Sequence, residues 1–289
     1  MLIVTLLCGK GSPGTTTTAV ALTLDWPRPV LLVEADPAGG SIGFGYGQGI
    51  DMQGRGLLGA HLAARHGDPT AALWNNVVGL APDRWLLPGI AEPRQASTID
   101  YPALAGTLAG LGVDVLIDGG RFPGPGRIDA LPAGSDRVLV VMRSTLAGVH
   151  TAQTAATAAI AASGATSGVV GSVIVGPGRP YPETDVGAAM RDVAPVSGCV
   201  AWDPAAAAVI TDGSPAPRKW TTCPLLRSAA RLATALVTGA EPQRTFEPTG
   251  AAALLGAPGP PETPVPGVQV EAPMPAQSDV WVSTAVTAR

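Results

Sequence analysis

Residues 9–16, with the sequence GKGSPGTT, limit the possible folds of this chain more than any other segment. They connect the largely apolar run 2–7, a predicted buried strand, to the predicted helix 16–26. A phosphate-binding loop, G-x-x-x-x-G-K-[ST], requires this context, because backbone N–H groups and the helix N-terminus attract an anion there. Gly9 and Gly14 have the required spacing and Thr16 supplies the hydroxyl, but Thr15 occupies the position of the lysine.

The same loop also has a plainer interpretation. Threonine favours helix N-termini because its hydroxyl caps free N–H groups, so the run 15–18 fits the start of any helix. An ordinary Gly/Pro turn before a threonine-rich helix therefore stays open as the alternative to phosphate binding. The composition favours phosphate binding, since the only two lysines are Lys10 and Lys219, and one of them lies inside the loop.

Two further segments place carboxylates where predicted strands end. Glu34-Ala-Asp36-Pro follows the apolar run 30–33, and Asp118 closes the run 113–118. The carboxyl ends of parallel strands share one edge of a sheet, so both acids belong beside the loop. Asp36 could orient an attacking water, and Asp118 has the form of a Walker B aspartate that holds Mg²⁺. An Asp-Pro turn at Asp36 and a turn or helix cap at Asp118 are the alternatives.

Predicted strands alternate with predicted helices over residues 1–240. This order indicates an α/β fold with a mostly parallel, doubly wound sheet that is flanked by helices. The further strands are predicted at 85–87, 137–142, 169–175 and 197–201, and the further helices at 57–65, 101–111, 146–162, 183–193 and 225–237. From residue 241 prolines recur without helical periodicity, which predicts a disordered Pro/Ala-rich tail over 241–289.

Composition and charge exclude several classes of protein. The net charge of −4 gives no global attraction to nucleic acid. Cys8, Cys199 and Cys223 form no C-x-x-C pair, which argues against a disulfide framework and a metal cluster. The apolar run after Met1 is too short for a signal peptide or a membrane span. We therefore expect a cytoplasmic protein without membrane insertion.

Taken in order, these segments resemble the MinD/ParA class of P-loop ATPases, whose deviant Walker A loop reads K-G-G-x-G-K-[ST]-[ST]. Residues 10–17, KGSPGTTT, align to that loop without a gap. Residues 34–37 match the family's D-x-D-P segment, and Asp118 matches its Walker B aspartate. Residues 85–89, 136–148 and 199–204 are similar to later family motifs. The resemblance implies the P-loop NTPase fold, ATP and Mg²⁺ as cofactors, and a homodimer that binds protein partners.

The resemblance also implies a role for each matched residue. Lys10 corresponds to the signature lysine that reaches the phosphates of the partner across a nucleotide-sandwich dimer. Asp36 corresponds to the acid that supports water activation, and Thr16 and Asp118 correspond to the Mg²⁺ ligands. The residues expected to bind nucleotide are Gly9, Lys10, Gly11, Ser12, Pro13, Gly14, Thr15, Thr16 and Thr17.

Three departures from the family pattern limit the expected activity. Thr15 removes a positive charge from the β/γ-phosphates, Ser12 replaces a glycine, and Gly176-Pro177 stands where the family carries an asparagine for adenine. Electrostatic stabilisation of the transferred phosphoryl group dominates this chemistry, so we expect weak or partner-dependent hydrolysis. The candidates for a substitute cation are Arg121, Arg127 and Arg143.

The resemblance, taken with these departures, implies two hypotheses of different class. The first is a positioning or assembly switch in cell division, in chromosome or plasmid partitioning, or in secretion or pilus placement. The second is a pseudo-ATPase adaptor that dimerises and binds protein partners without turnover. Non-specific DNA binding is a further possibility, with a solvated helix face as its alternative, and it rests on Arg218, Lys219, Arg227 and Arg231.

Overall fold

A computed structural model of the protein describes residues 1–125, 127–164 and 170–239. The strands within these ranges are β1 (Ile3–Cys8), β2 (Val30–Glu34), β3 (Val78–Ala81), β4 (Arg84–Leu87), β5 (Asp114–Arg121), β6 (Arg137–Arg143), β7 (Val170–Val175) and β8 (Val196–Val200). They form one sheet in the order β3-β4-β2-β5-β1-β6-β7-β8. All neighbouring strands are parallel except β3 and β4, which form an antiparallel hairpin at one edge.

Helices cover both faces of this sheet. The α-helices of the described ranges are α1 (Thr15–Leu24), α2 (Leu57–Ala64), α3 (Pro69–Trp74), α4 (Tyr101–Leu108), α5 (Ala130–Ala133), α6 (Leu146–Ser163), α7 (Glu183–Met190), α8 (Pro204–Asp212) and α9 (Pro224–Thr238). None of them has the length and apolarity that a bilayer crossing requires.

Alternation along the buried strands creates two hydrophobic cores. In β1, Ile3 and Leu7 point into one core, where residues of α2 to α7 pack. Val4 and Leu6 point into the other, where residues of α1, α8 and α9 pack. A strand buried on both faces needs apolar residues at nearly every position, which explains the largely apolar sequence of β1, IVTLLC. The predicted fold class, a doubly wound and mostly parallel sheet flanked by helices, is confirmed.

Some elements differ from the prediction. The hairpin strand β3 and the short helices α3 and α5 had no strong periodic pattern, and α8 occupies residues for which we predicted no helix. The prediction that β5 ends at Asp118 is wrong, because the strand continues through Gly119 and Gly120 to Arg121. The predicted tail, 241–289, lies outside the described residues, so the domain boundary at residue 240 stays a prediction.

Candidate functional site

The order of the central strands brings the three predicted segments to one edge of the sheet. Strand β5 lies between β1 and β2, and the register pairs Asp118 with Leu6 on one side and with Glu34 on the other. The loop that follows β1, the acids at the end of β2 and Asp118 in β5 therefore lie side by side. This is the edge at which ligands bind in doubly wound sheets.

The backbone of the loop offers a row of unused donors. Gly14 adopts the left-handed conformation, with φ 102°, at the N-cap of α1, and no side chain caps this helix. Within the described part of the chain, no backbone N–H group from Lys10 to Thr17 donates a hydrogen bond (Pro13 has none to donate). Consecutive free N–H groups at a helix N-terminus form a cradle for an anion.

The two residues that distinguish this loop lie in opposite environments. Lys10 is exposed and lines a cavity of about 260 Å³ between the loop and the start of α6. Thr15 is only 6% exposed, and its Oγ1 has no regular hydrogen bond although it lies beside the weakly polar thiol of Cys8. The position of the missing lysine therefore carries a buried, nearly unpartnered hydroxyl.

Asp118 is fully buried at the centre of the site. Its Oδ1 accepts a hydrogen bond from the N–H of Gly120 at 3.2 Å, whereas its Oδ2 is buried without a partner. Burial raises the pKa of Asp118 to about 7, the hydroxyl of Thr16 lowers it, and the charges of Glu34 and Asp36 raise it further. A buried carboxylate oxygen with no donor, close to a threonine hydroxyl, fits a hard cation such as Mg²⁺.

The donor set around Asp118 is sparse. Among the residues that the structure describes, no group of three or more His, Cys, Asp or Glu side chains is arranged to hold a metal ion. Magnesium commonly uses one or two protein oxygens and completes its shell with water and substrate phosphates. The residues present fit that pattern, with Thr16 and Asp118 as the predicted protein ligands.

Asp36 stabilises a turn after β2 and also lies beside Gly120 in the candidate site. Its Oδ1 accepts a hydrogen bond from the N–H of Ala38 at 2.8 Å, so the Asp-Pro turn weighed from the sequence is present. The same carboxylate packs against Gly120, where a Cβ atom would overlap it. Burial raises the pKa of Asp36, and the charge of Arg121 lowers it. The turn and the predicted role in water activation are thus compatible.

Glu34 organises the loop that follows β2. Its carboxylate accepts hydrogen bonds from the N–H groups of Ser41 at 2.5 Å, Ile42 at 2.9 Å and Gly89 at 3.0 Å. Burial raises the pKa of Glu34, and these three hydrogen bonds lower it. The first acid of the Glu34-Ala-Asp36 pair therefore supports the backbone on this side of the site, a role that spacing alone did not reveal.

A second cavity, of about 170 Å³, lies on the other side of the loop. It is bounded by Ser12 to Gly14 and the first turn of α1 on one side, and by residues at the ends of β7 and β8 and in α8 on the other. Trp202 and Arg143 line it, with the guanidinium carbon 3.8 Å from the centre of the Trp202 ring. The sequence matches Trp202 only to a motif, and its contact with Arg143 is visible only in the structure.

The predicted basic surface is accessible. Its four members, Arg218, Lys219, Arg227 and Arg231, are all exposed. Across the described residues, the ion pairs are Arg28 with Asp114 and Arg94 with Glu92, so no acid neutralises these four cations. Both DNA binding and a solvated face remain compatible with this surface.

Comparison with known proteins identifies the fold. No protein-family model matches the chain, and no curated protein matches its sequence. Among solved structures, the cell division ATPase MinD of Pyrococcus furiosus has a TM-score of 0.66 at 19% identity, over 83% of this chain and 99% of that one. A putative plasmid partition protein of Borrelia burgdorferi bound to AMPPNP has a TM-score of 0.65 at 14% identity, over 83% and 99%.

A third structure contains a natural nucleotide. The septum site-determining protein MinD of Pyrococcus horikoshii, complexed with Mg-ADP, has a TM-score of 0.61 at 19% identity, over 80% of this chain and 94% of that one. These similarities span nearly the full length of the known proteins. They show that this chain has the fold of the MinD and ParA P-loop ATPases.

Proposed function

We propose that this chain, which has the fold of the MinD and ParA ATPases, is a nucleotide-binding switch that positions or assembles a cellular structure. One observation carries the proposal: the unused N–H groups of the loop from Lys10 to Thr17 and the unpartnered oxygen of buried Asp118 lie at the same edge of the sheet. The first is suited to phosphates and the second to their counter-ion.

The proposed ligand is ATP with Mg²⁺. The backbone of residues 9–17 would hold the phosphates, and Thr16 and Asp118 would hold the metal. Bound Mg²⁺ neutralises phosphate charge, which lowers the demand on protein cations. The structures of similar fold from P. horikoshii and B. burgdorferi are complexes with Mg-ADP and AMPPNP, which supports this assignment.

We expect slow hydrolysis that a partner accelerates. Asp36 stands where it could orient a water, but Thr15 brings no charge to the phosphates. Removing one preorganised donor from such a site typically slows catalysis by about a hundredfold to a thousandfold. Binding with little turnover of its own is the behaviour of a switch whose state is set by its partners.

We further propose that the nucleotide-bound form is a homodimer in the cytoplasm. Lys10 is exposed at the loop, where it could reach the phosphates of a second copy. The three cysteines are free thiols, which persist in a reducing compartment. Proteins of similar fold act in cell division and plasmid partition, so those processes, and secretion or pilus placement, are the proposed settings.

The proposal is tested by ATP binding, hydrolysis and sedimentation of the purified full chain. ATP with Mg²⁺ should bind and convert monomer to dimer, and Lys10→Ala should bind ATP yet stay monomeric. Arg191→Ala is the matched control, since it removes an exposed cation at the C-cap of α7. Failure of the unmodified chain to bind ATP at millimolar concentration would exclude the switch.

The adaptor without turnover is the alternative, and the buried Thr15 is the observation that favours it. Hydrolysis separates the two hypotheses. If ATP binds and dimerises the chain but is not consumed, with or without partners, the adaptor is correct. If ATP is consumed at a rate that Asp36→Asn abolishes, the switch is correct.

DNA binding is proposed for the face of α9. Arg227 and Arg231 are one helical turn apart and exposed, and neither forms an ion pair with an acid of the described residues. In a salt titration, Arg227→Ala/Arg231→Ala should weaken binding to DNA of any sequence and reduce the slope of log K against log salt by about 2. An unchanged affinity would rule this face out.

A further inference from the structure

Arg143 lies on the boundary between the two cavities that flank the loop. It is the last residue of β6, and β6 pairs with β1, the strand that leads into the loop. Its side chain lines the cavity of about 260 Å³ together with Lys10. It also lines the cavity of about 170 Å³ together with Trp202, and Ser12 and Pro13 line both.

The contact with Trp202 fixes the direction of the guanidinium without using its donors. The guanidinium carbon is 3.8 Å from the ring centre, which is the geometry of a cation–π contact. Stacking occupies the flat face of the group and leaves the N–H groups at its rim available. The Nε of Arg143 is buried and has no hydrogen-bond acceptor in the described structure. A buried charged donor without an acceptor is costly, so this group is suited to an incoming anion.

The other two candidate arginines are placed differently. Arg121 is exposed at the end of β5, where it pairs in register with Cys8 just before the loop, and its charge partly compensates that of Asp36. Arg127 is exposed in the segment before α5. Neither lines the two cavities beside the loop. Of the three, Arg143 is the one that lines both cavities, whose walls include residues of the loop.

We propose that Arg143 replaces the lysine missing at Thr15, and that its guanidinium binds the β- or γ-phosphate of a nucleoside triphosphate held by the loop. This proposal rests on the proposed nucleotide binding. It supplies the protein cation that the loop lacks at Thr15. A guanidinium can donate two parallel hydrogen bonds to one phosphate, which a lysine cannot. Trp202 acts as a positioning residue, since it holds the group at the wall shared by the cavities.

The test is the ATP dissociation constant of the full chain in Mg²⁺, measured by titration calorimetry. Arg143→Met keeps a long stem to pack on Trp202 and removes the charge, and should weaken ATP binding about tenfold to a hundredfold, the loss typical of one charge-assisted hydrogen bond. Arg143→Lys keeps the charge and should lose clearly less than Arg143→Met. Arg137→Met, at the opposite end of the same strand, should bind ATP as the unmodified chain does.

Two results would overturn the proposal. One is an Arg143→Met chain that binds ATP as tightly as the unmodified chain. The other is an Arg143→Lys chain that loses as much ATP affinity as Arg143→Met. In that case the shape of the arginine side chain, and not its positive charge, would determine the affinity. Should Arg143→Met fail to fold, Arg143→Gln, which is also uncharged, provides the same comparison. If the unmodified chain binds no ATP, the proposed function fails too, whereas unchanged binding by Arg143→Met refutes only this inference.

Discussion

Replacing Asp118 by asparagine should stabilise the folded chain at and above neutral pH. The carboxylate is fully buried, and one of its two oxygens has no hydrogen-bond partner. Burial, together with the charges of Glu34 and Asp36, raises its pKa from 3.8 to about 7. Ionising this group in the folded chain is therefore unfavourable, and asparagine removes the charge while it keeps the shape.

The sign and size of the effect follow from proton linkage. Between about pH 4 and pH 7 the unfolded chain releases this proton while the folded chain retains it, so stability falls as the pH rises through that window. A shift of about three pKa units corresponds to on the order of 4 kcal/mol. The buried amide of asparagine leaves a donor unpaired, which costs about 1 to 2 kcal/mol. We expect a net gain of about 2 kcal/mol at pH 8 and no gain at pH 4.

Urea denaturation of both chains at pH 4, 6 and 8, without nucleotide or metal, measures this difference. The Asp118→Asn chain should be the less stable of the two at pH 4 by about 1 to 2 kcal/mol, the curves of free energy of unfolding against pH should cross between pH 4 and pH 7, and they should run parallel above about pH 7. An Asp118→Asn chain that is less stable than the unmodified chain at pH 8, or a difference that does not depend on pH, would show that the folded chain does not disfavour the ionised carboxylate. The same substitution should weaken Mg²⁺-dependent ATP binding, because asparagine lacks the negative charge that would attract the metal ion. The buried carboxylate thus lowers the stability of the folded chain but serves the binding of the cation.

Three further changes test the supports of the site by denaturant unfolding. Glu34→Ala should destabilise the chain by about 2 to 5 kcal/mol, because the buried N–H of Ile42 and the partly buried N–H groups of Ser41 and Gly89 lose their acceptor. Glu34→Gln should lose less, and equal losses would contradict this. Thr15→Val should be neutral or stabilising by about 1 kcal/mol, since its hydroxyl has no regular partner, and a large loss would reveal a bond we have not assigned. Gly120→Ala should destabilise by at least about 1 to 3 kcal/mol, because φ is 62° there and the new methyl would overlap Asp36; unchanged stability would show that the carboxylate moves freely.

The fold was largely predictable because its strands are buried on both faces. Short, continuously apolar runs such as 2–7 and 30–33 are typical of strands in the interior of a parallel sheet. Their alternation with predicted helices indicated the doubly wound sheet. The helix α8 was missed although Asp203 caps it and Pro204 begins it, a combination that favours a helix N-terminus. The same Asp-Pro pair at residue 36 begins no helix, so the signal is ambiguous without its surroundings.

The chemistry of the site was less predictable than its position. Glycine spacing placed the loop, and strand ends placed Asp36 and Asp118 beside it. Glu34 binds the backbone N–H groups of Ser41 and Gly89, whereas Asp118 keeps one oxygen without a partner. Gly89 is distant from Glu34 along the chain, and no local pattern encodes these contacts. The Arg143–Trp202 contact joins the ends of strands that are distant along the chain, so only the assembled sheet reveals it.

The free energy of unfolding of the full chain, measured with and without ATP and Mg²⁺, tests whether the chain binds nucleotide at all. A ligand that binds only the folded chain stabilises it by RT ln(1 + [L]/Kd), so about 1 mM ATP with a Kd of about 100 µM should add about 1.4 kcal/mol. We predict a gain of at least this order that requires Mg²⁺ and is reduced in Arg143→Met. No change in the unfolding free energy of the unmodified chain at millimolar ATP and Mg²⁺ would contradict this prediction.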